Sequence, residues 1–72
     1  MNTLPSPFIL EEYLIPHENF PPGIPHEALK TYLDGVEEGC PTGISFYEGK
    51  YYVLQSAGQG PMIVWTEDTP RG

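Results

Sequence analysis

Apolar residues recur with helical spacing in the middle of this chain and with strand-like spacing after it. Between Pro25 and Glu38, the apolar positions lie one, three, one and three residues apart, which places them on one stripe of a helix. They are Ala28, Leu29, Tyr32, Leu33 and Val36. Pro25 suits a first turn, and Gly39 followed by Pro41 is typical of a helix end. The pattern predicts a helix over residues 25–38, or one that ends at Gly35, with this stripe facing the core.

Three runs rich in β-branched and aromatic residues follow, at positions 44–47, 50–55 and 62–66. Glu48-Gly49 between the first two suits a two-residue hairpin turn, and residues 56–61 are interpreted as a loop. Three successive strands of this kind predict an antiparallel meander. Phe46 is expected to pack in its core.

The N-terminal apolar block, residues 8–15, is bounded by Pro7 and Pro16. A serine before Pro7 favours a helix start, whereas the short length and the β-branched content favour a strand; both readings stay open. The expected fold is α+β, with one helix packed on a three- or four-stranded antiparallel sheet. It forms a single domain over residues 1–72, with residues 1–7 and 67–72 as flexible tails.

The net charge of the chain indicates which kinds of partner it can bind. Ten Asp and Glu residues oppose three Lys and Arg, for a formal net charge of −7. Nucleic acids and acidic lipids would repel such a chain, so we expect no direct nucleic-acid or membrane contact and a larger protein with a basic patch as the partner. The plainer interpretation of the charge is solubility, since a magnitude of about 2–8 is ordinary for small domains. The candidate interface carboxylates are Glu11, Glu12, Glu37, Glu38 and Glu48.

Candidate chemistry is sparse. Cys40 is the only cysteine, which excludes an internal disulfide and favours a reducing compartment, the cytoplasm. His17, His26 and Cys40 do not follow the paired spacing of zinc ligands, and no nucleophile motif surrounds Cys40. We therefore predict no catalytic residues, no metal and no cofactor. The start of the chain lacks the features of a signal peptide, and no apolar run approaches the roughly 20 residues of a bilayer span.

Aromatic residues supply the second set of candidate interface positions. One helix can cover only one face of a sheet, so some rings are expected on an open face, where Tyr and Trp are typical interface anchors. The candidates are Tyr47, Tyr52 and Trp65. A base-stacking platform for single-stranded nucleic acid is disfavoured because the C-terminal half supplies only Lys50 and Arg71 as cations.

The very short chain, acidic balance, single cysteine and lack of an enzyme motif resemble, in overall profile, the small acidic proteins with which bacteriophages inhibit host machinery. Inhibitors of host RNA polymerase belong to this group. The resemblance implies binding to a basic patch of a host nucleic-acid enzyme in the host cytoplasm. Alternatives are an antitoxin, immunity or accessory subunit that masks a basic partner and, less favoured, a small Cys-dependent enzyme or a DNA mimic. Ten carboxylates are sparse beside a duplex with one charge per about 1.7 Å.

Overall fold

The computed structural model describes residues 4–67, which form a four-stranded antiparallel sheet and two α-helices. The sheet has the order β1-β2-β3-β4 and so confirms the predicted α+β meander. Its strands are β1 (Leu14–Ile15), β2 (Thr42–Tyr47), β3 (Lys50–Ala57) and β4 (Gly60–Thr66). The helices are α1 (Pro7–Leu10) and α2 (His26–Glu37), with 3-10 turns at Glu11–Tyr13 and His17–Asn19.

The N-terminal block is helical first and extended afterwards. The backbone N–H of Phe8 donates to the Ser6 hydroxyl over 3.3 Å, which caps α1 at its start. β1 then pairs with β2 through Leu14 opposite Ser45 and Ile15 opposite Ile44. Both readings of this block are therefore partly right, and the sheet has a fourth strand.

Helices cover both faces of the sheet. On one face, Ala28 of α2 packs against Ile44 and Val53, and all three are fully buried. On the other face, Leu10 of α1 packs against Tyr52 and Leu54. The expectation of an open face is wrong at this central position, because the N-terminal block supplies a second cover.

The α2 helix ends where the sequence predicts. Gly39 N–H donates to the carbonyl of Val36 over 3.0 Å, and Cys40 N–H donates to that of Gly35 over 2.9 Å. Together these two bonds form the usual glycine-terminated helix end. The helix therefore continues through Gly35 rather than stopping there.

Only part of the predicted apolar stripe of α2 faces the core: Ala28 is buried, and Leu29 and Tyr32 pack against the core cluster. Leu33 and Val36, expected in the core, are each 48% exposed, whereas Gly35 is buried. A side chain at Gly35 would collide with Thr42, and would also crowd Gln55. Without a side chain, the helix backbone lies directly on the sheet at this position, and this close packing turns Leu33 and Val36 outwards.

The two hairpins have two-residue turns. Glu48 and Gly49 form the first, as predicted, with φ values of 50° and 83°. The loop expected over residues 56–61 is instead mostly strand, since β3 continues to Ala57 and β4 begins at Gly60. Proline has no backbone N–H to donate. Pro61 is tolerated because β4 is an edge strand and because the pairing of β4 with β3 does not require a hydrogen bond from the backbone nitrogen of this residue.

Of the predicted tails, residues 1–3 and 68–72 lie outside the described residues, whereas Ser6 and Pro7 belong to the start of α1. Glu67, at the start of the second, is hydrogen-bonded: its N–H donates to the Tyr51 carbonyl, and its carboxylate accepts from Tyr51 N–H over 2.7 Å. Between residues 4 and 67, no helix is long and apolar enough to cross a membrane.

Candidate protein-binding surface

Two tyrosines meet at the end of the sheet where β2 turns into β3. Tyr13 belongs to the 3-10 turn before β1, and the pairing of Leu14 with Ser45 brings it beside Tyr47 at the end of β2. The ring centroids lie 4.9 Å apart at an interplanar angle of 61°, an edge-to-face contact that aromatic rings favour. Tyr13 is 47% exposed and Tyr47 is half-buried.

Glu48 adds a fixed negative charge next to these rings. Its backbone has φ 50°, a left-handed conformation that costs a residue with a side chain about 1–2 kcal/mol. The charge of Glu48 raises the pKa of the Tyr47 hydroxyl above its usual 10.0, and burial and a hydrogen bond to Glu48 add to the effect. Tyr47 is therefore neutral at pH 7. We call Tyr13, Tyr47 and Glu48 the turn surface.

The opposite face of the same turn also carries rings. Phe46 and Tyr51 are directly paired across β2 and β3, with ring centroids 4.7 Å apart. Tyr51 packs against the α2 side of the core, whereas Phe46 is 44% exposed. The expectation that Phe46 is a core residue is wrong, because Tyr51 lies between it and the packed cluster. Lys50 also belongs to this turn and is half-buried, whereas Glu48 is exposed.

The other predicted aromatic positions do not join this surface. Tyr52 is only 3% exposed and packs against Leu10, so its prediction as an interface residue is wrong in this structure. The physical reason is the cover that α1 provides. Trp65 is half-buried on the α2 side, where it lines a shallow depression with Pro25 and Glu27.

The predicted acidic pairs are exposed but separated. Glu37 and Glu38 lie at the end of α2, whereas Trp65 lies near its start. The twelve residues of this helix span about 18 Å at 1.5 Å per residue, and this length separates the acidic pair from Trp65. Glu12 directly precedes Tyr13. Glu11 instead borders a cleft of about 170 Å³ whose apolar lining includes Leu14, Leu54 and Pro61, a volume below the roughly 300–1,000 Å³ of typical ligand pockets.

Sequence reasoning did not identify Tyr13 as an interface residue. Its contact with Tyr47 depends on the register between β1 and β2, and β1 has only two residues. The only signal in the sequence is an aromatic residue directly after the Glu11-Glu12 pair. That signal is too weak to place a ring beside a strand more than thirty residues away.

A further aromatic cluster joins the connector before α2 to the helix. His17 Nδ1 and the Tyr32 hydroxyl are hydrogen-bonded at 3.1 Å, and the rings of Phe20 and Tyr32 are 5.1 Å apart. Phe20 and Tyr32 also pack on the core. These contacts attach the connector to α2. In the described part of the chain, no three His, Cys, Asp or Glu residues are grouped so that they could hold a metal ion.

Comparisons of this chain with protein-family models, with curated proteins and with solved structures found no match. The turn surface is therefore interpreted from its own geometry and charge.

Proposed function

We propose that the protein is a non-enzymatic, acidic protein-binding module whose turn surface contacts a basic patch of a larger protein. Exposed tyrosines supply large contact area at a low cost in conformational entropy, which makes them common anchors of interfaces. Tyr13 and Tyr47 present such area, and Glu48 places a carboxylate beside it. The net charge of −7 favours association with a cationic protein.

The backbone of Glu48 is the observation that carries this proposal. Asn, Asp and Gly adopt the positive φ values that this turn requires at lower energy than other residues do. The first position nevertheless holds a glutamate, with φ 50°. Backbone strain of this kind concentrates at functional sites, where the surrounding structure maintains it. A carboxylate that contacts a partner is a physical reason for glutamate at this position.

The partner we propose is an enzyme that acts on nucleic acid, with RNA polymerase as the first candidate and the host cytoplasm as the location. Such enzymes carry Lys and Arg in the grooves that neutralise phosphates. A compact acidic domain of 8.0 kDa can bind in or beside such a groove and compete with the normal contacts. This activity is that of a phage-type inhibitor.

Binding to bacterial RNA polymerase core enzyme tests the proposal directly. We expect association that slows as salt is raised, because exposed charges steer the encounter. Tyr47→Ala should weaken affinity about tenfold, as the loss of an interface anchor does, and Glu48→Gln should mainly slow association. Glu18→Gln is the matched control, because Glu18 is exposed in the 3-10 turn before α2.

If the polymerase does not bind, a pull-down from bacterial lysate at low and high salt selects other basic proteins, and the same variants are measured with each. A purified partner whose affinity is unchanged by both turn variants would exclude the turn surface. Failure of every basic protein to bind would overturn the proposed function itself.

A further inference from the structure

A small apolar cleft lies on the α1 side of the sheet, around the start of β2 and the end of β3. Gly43 of β2 is paired with Leu54 of β3. Leu14 lies over Gly43, where a β-carbon would be 2.9 Å from its Cδ2 atom. The glycine therefore allows Leu14 to lie close to the sheet, so that Leu14, Leu54 and Pro61 together surround the cleft with apolar groups.

The backbone around the cleft is fixed by pairing on both sides of Ser56. Ser56 N–H donates to the Pro41 carbonyl over 2.8 Å, and Ser56 is paired with Pro61 of β4. Both prolines border the cleft and contribute apolar ring surface without an N–H. Because the cleft is already formed in the free protein, a ligand does not have to order it, which lowers the cost of binding.

The volume of the cleft matches a single side chain. It is about 170 Å³, and a cavity of about 150 Å³ is sufficient to hold a benzene molecule. A lysine side chain, with four methylene groups and one amino nitrogen, is of this size. Arginine fits less well, because its planar head group is larger.

Glu11 places a negative charge at the mouth of the cleft. Its side chain is exposed, and within residues 4–67 it is the only ionisable residue that borders the cleft. An apolar ligand would remove water from this carboxylate without replacing the lost hydrogen bonds, which is unfavourable. A lysine instead covers the apolar walls with its methylene groups and keeps its ammonium group at the mouth, beside the carboxylate.

We propose that this cleft binds the side chain of a single lysine from a basic protein. The inference rests on the proposed function, in which a chain with a net charge of −7 associates with a cationic surface. One wall of the cleft is Leu14, which directly follows Tyr13 of the turn surface, so one partner can contact both. Insertion of one lysine fixes the position of the partner, whereas net charge only attracts it.

Two tripeptides test the cleft without any protein partner. The probes are the acetylated and amidated peptide glycine-lysine-glycine and the same peptide with norleucine, which has the carbon stem of lysine but no ammonium group. NMR titration follows the methyl groups of Leu14 and Leu54. We expect both to shift with the lysine peptide at millimolar concentration. The norleucine peptide should bind about fivefold more weakly, as expected for loss of an exposed ion pair.

Glu11→Gln should weaken binding of the lysine peptide by the same factor and leave the norleucine peptide unaffected. Glu12→Gln is the matched control, because it removes the same charge from the next residue, which is exposed and does not border the cleft. It should leave the affinity for the lysine peptide nearly unchanged. Ser56→Leu fills the cleft without a change in charge and should abolish binding of both peptides, with circular dichroism to check that it is folded.

Three results would overturn the proposal. The first is the absence of methyl shifts at tens of millimolar lysine peptide. The second is equal affinity for the two peptides, because the cleft then binds an apolar side chain. The third is an equal loss of affinity in Glu11→Gln and Glu12→Gln, which would indicate general attraction to an acidic surface.

Failure of the cleft and failure of the proposed function are distinguishable. If a basic protein binds and its affinity depends on Tyr47, but the lysine peptide does not enter the cleft, only the cleft assignment is wrong. If the peptide binds as expected and no basic protein does, the proposed function is wrong and the cleft remains a lysine-binding site.

Discussion

The Ser45 hydroxyl donates a hydrogen bond of 3.0 Å to the backbone carbonyl of Leu10, and both residues are fully buried. This bond joins α1 to the central part of the sheet across 35 positions of sequence. It gives the buried carbonyl at the end of α1 a hydrogen-bond donor from the sheet.

Ser45→Ala should therefore lower the free energy of unfolding by about 0.5–1.5 kcal/mol, the net contribution of a typical intramolecular hydrogen bond. Urea denaturation measures this change. Ser56→Ala is the control, because Ser56 is exposed in β3 and its replacement should be nearly neutral. Equal effects of the two substitutions would show that the Leu10 carbonyl finds another donor.

Gly35→Ala should destabilise the protein although alanine favours helices by about 1 kcal/mol over glycine. Its β-carbon would collide with Thr42 and crowd Gln55, and overpacking of this kind typically costs about 1–3 kcal/mol. Thermal denaturation provides the comparison. Gly23→Ala is the control because a β-carbon there would have no atom within 4 Å apart from those of its chain neighbours. Partial recovery in a Gly35→Ala and Thr42→Ala double variant would locate the collision.

Glu37→Lys and Glu38→Lys should each stabilise the fold by about 0.3–1 kcal/mol, because cations favour the negative end of the helix dipole. The last turn of α2 has no basic residue. Glu27→Lys makes the same change in the first turn and should have the opposite sign. If the two carboxylates also steer a basic partner, association should slow while stability rises. Lower stability in the Glu37 and Glu38 variants would contradict the dipole argument.

Tyr52→Ala should cost about 3–5 kcal/mol, as deletion of a buried aromatic ring usually does. This loss is comparable with the whole stability of a small domain, so the variant should be largely unfolded. Tyr47→Ala should cost less and remain folded, because Tyr47 packs against the same cluster but is only half-buried. Circular dichroism and NMR spectra separate the two results. A well-folded Tyr52→Ala protein would mean that α1 does not cover this part of the sheet.

Glu48→Gln should lower the pKa of Tyr47 towards its usual 10.0, because the charge of Glu48 is the largest cause of the raised value. The sign follows from electrostatics: a neighbouring anion opposes formation of a phenolate, and its removal relieves that opposition. NMR titration of labelled tyrosines measures the pKa of this residue separately from the other tyrosines. Glu12→Gln is the control and should leave it unchanged.

Features fixed by neighbouring residues were predictable from the sequence. The Glu48-Gly49 turn and the end of α2 at Gly39 each depend on a few adjacent positions, and both have the expected geometry. The identities of a few adjacent residues are sufficient to predict such features, because turn and cap preferences arise from the local backbone conformation.

Features that depend on distant partners were not predictable in the same way. The exposure of Leu33 and Val36 follows from the close approach of α2 to Thr42 and Gln55 at Gly35, and helical periodicity alone does not contain that contact. The burial of Tyr52 likewise depends on Leu10, more than forty residues away. For the same reason the sequence included Tyr52 among the interface candidates and omitted Tyr13.

The attachment of α1 to the middle and end of the chain has a consequence for synthesis on the ribosome. Leu10 and its neighbours are translated before their partners Ser45, Tyr52 and Leu54. The nascent N-terminal segment therefore cannot bury its apolar side chains until most of the sheet has left the exit tunnel. The burial of Leu10 therefore waits for strands that are synthesised more than thirty residues later.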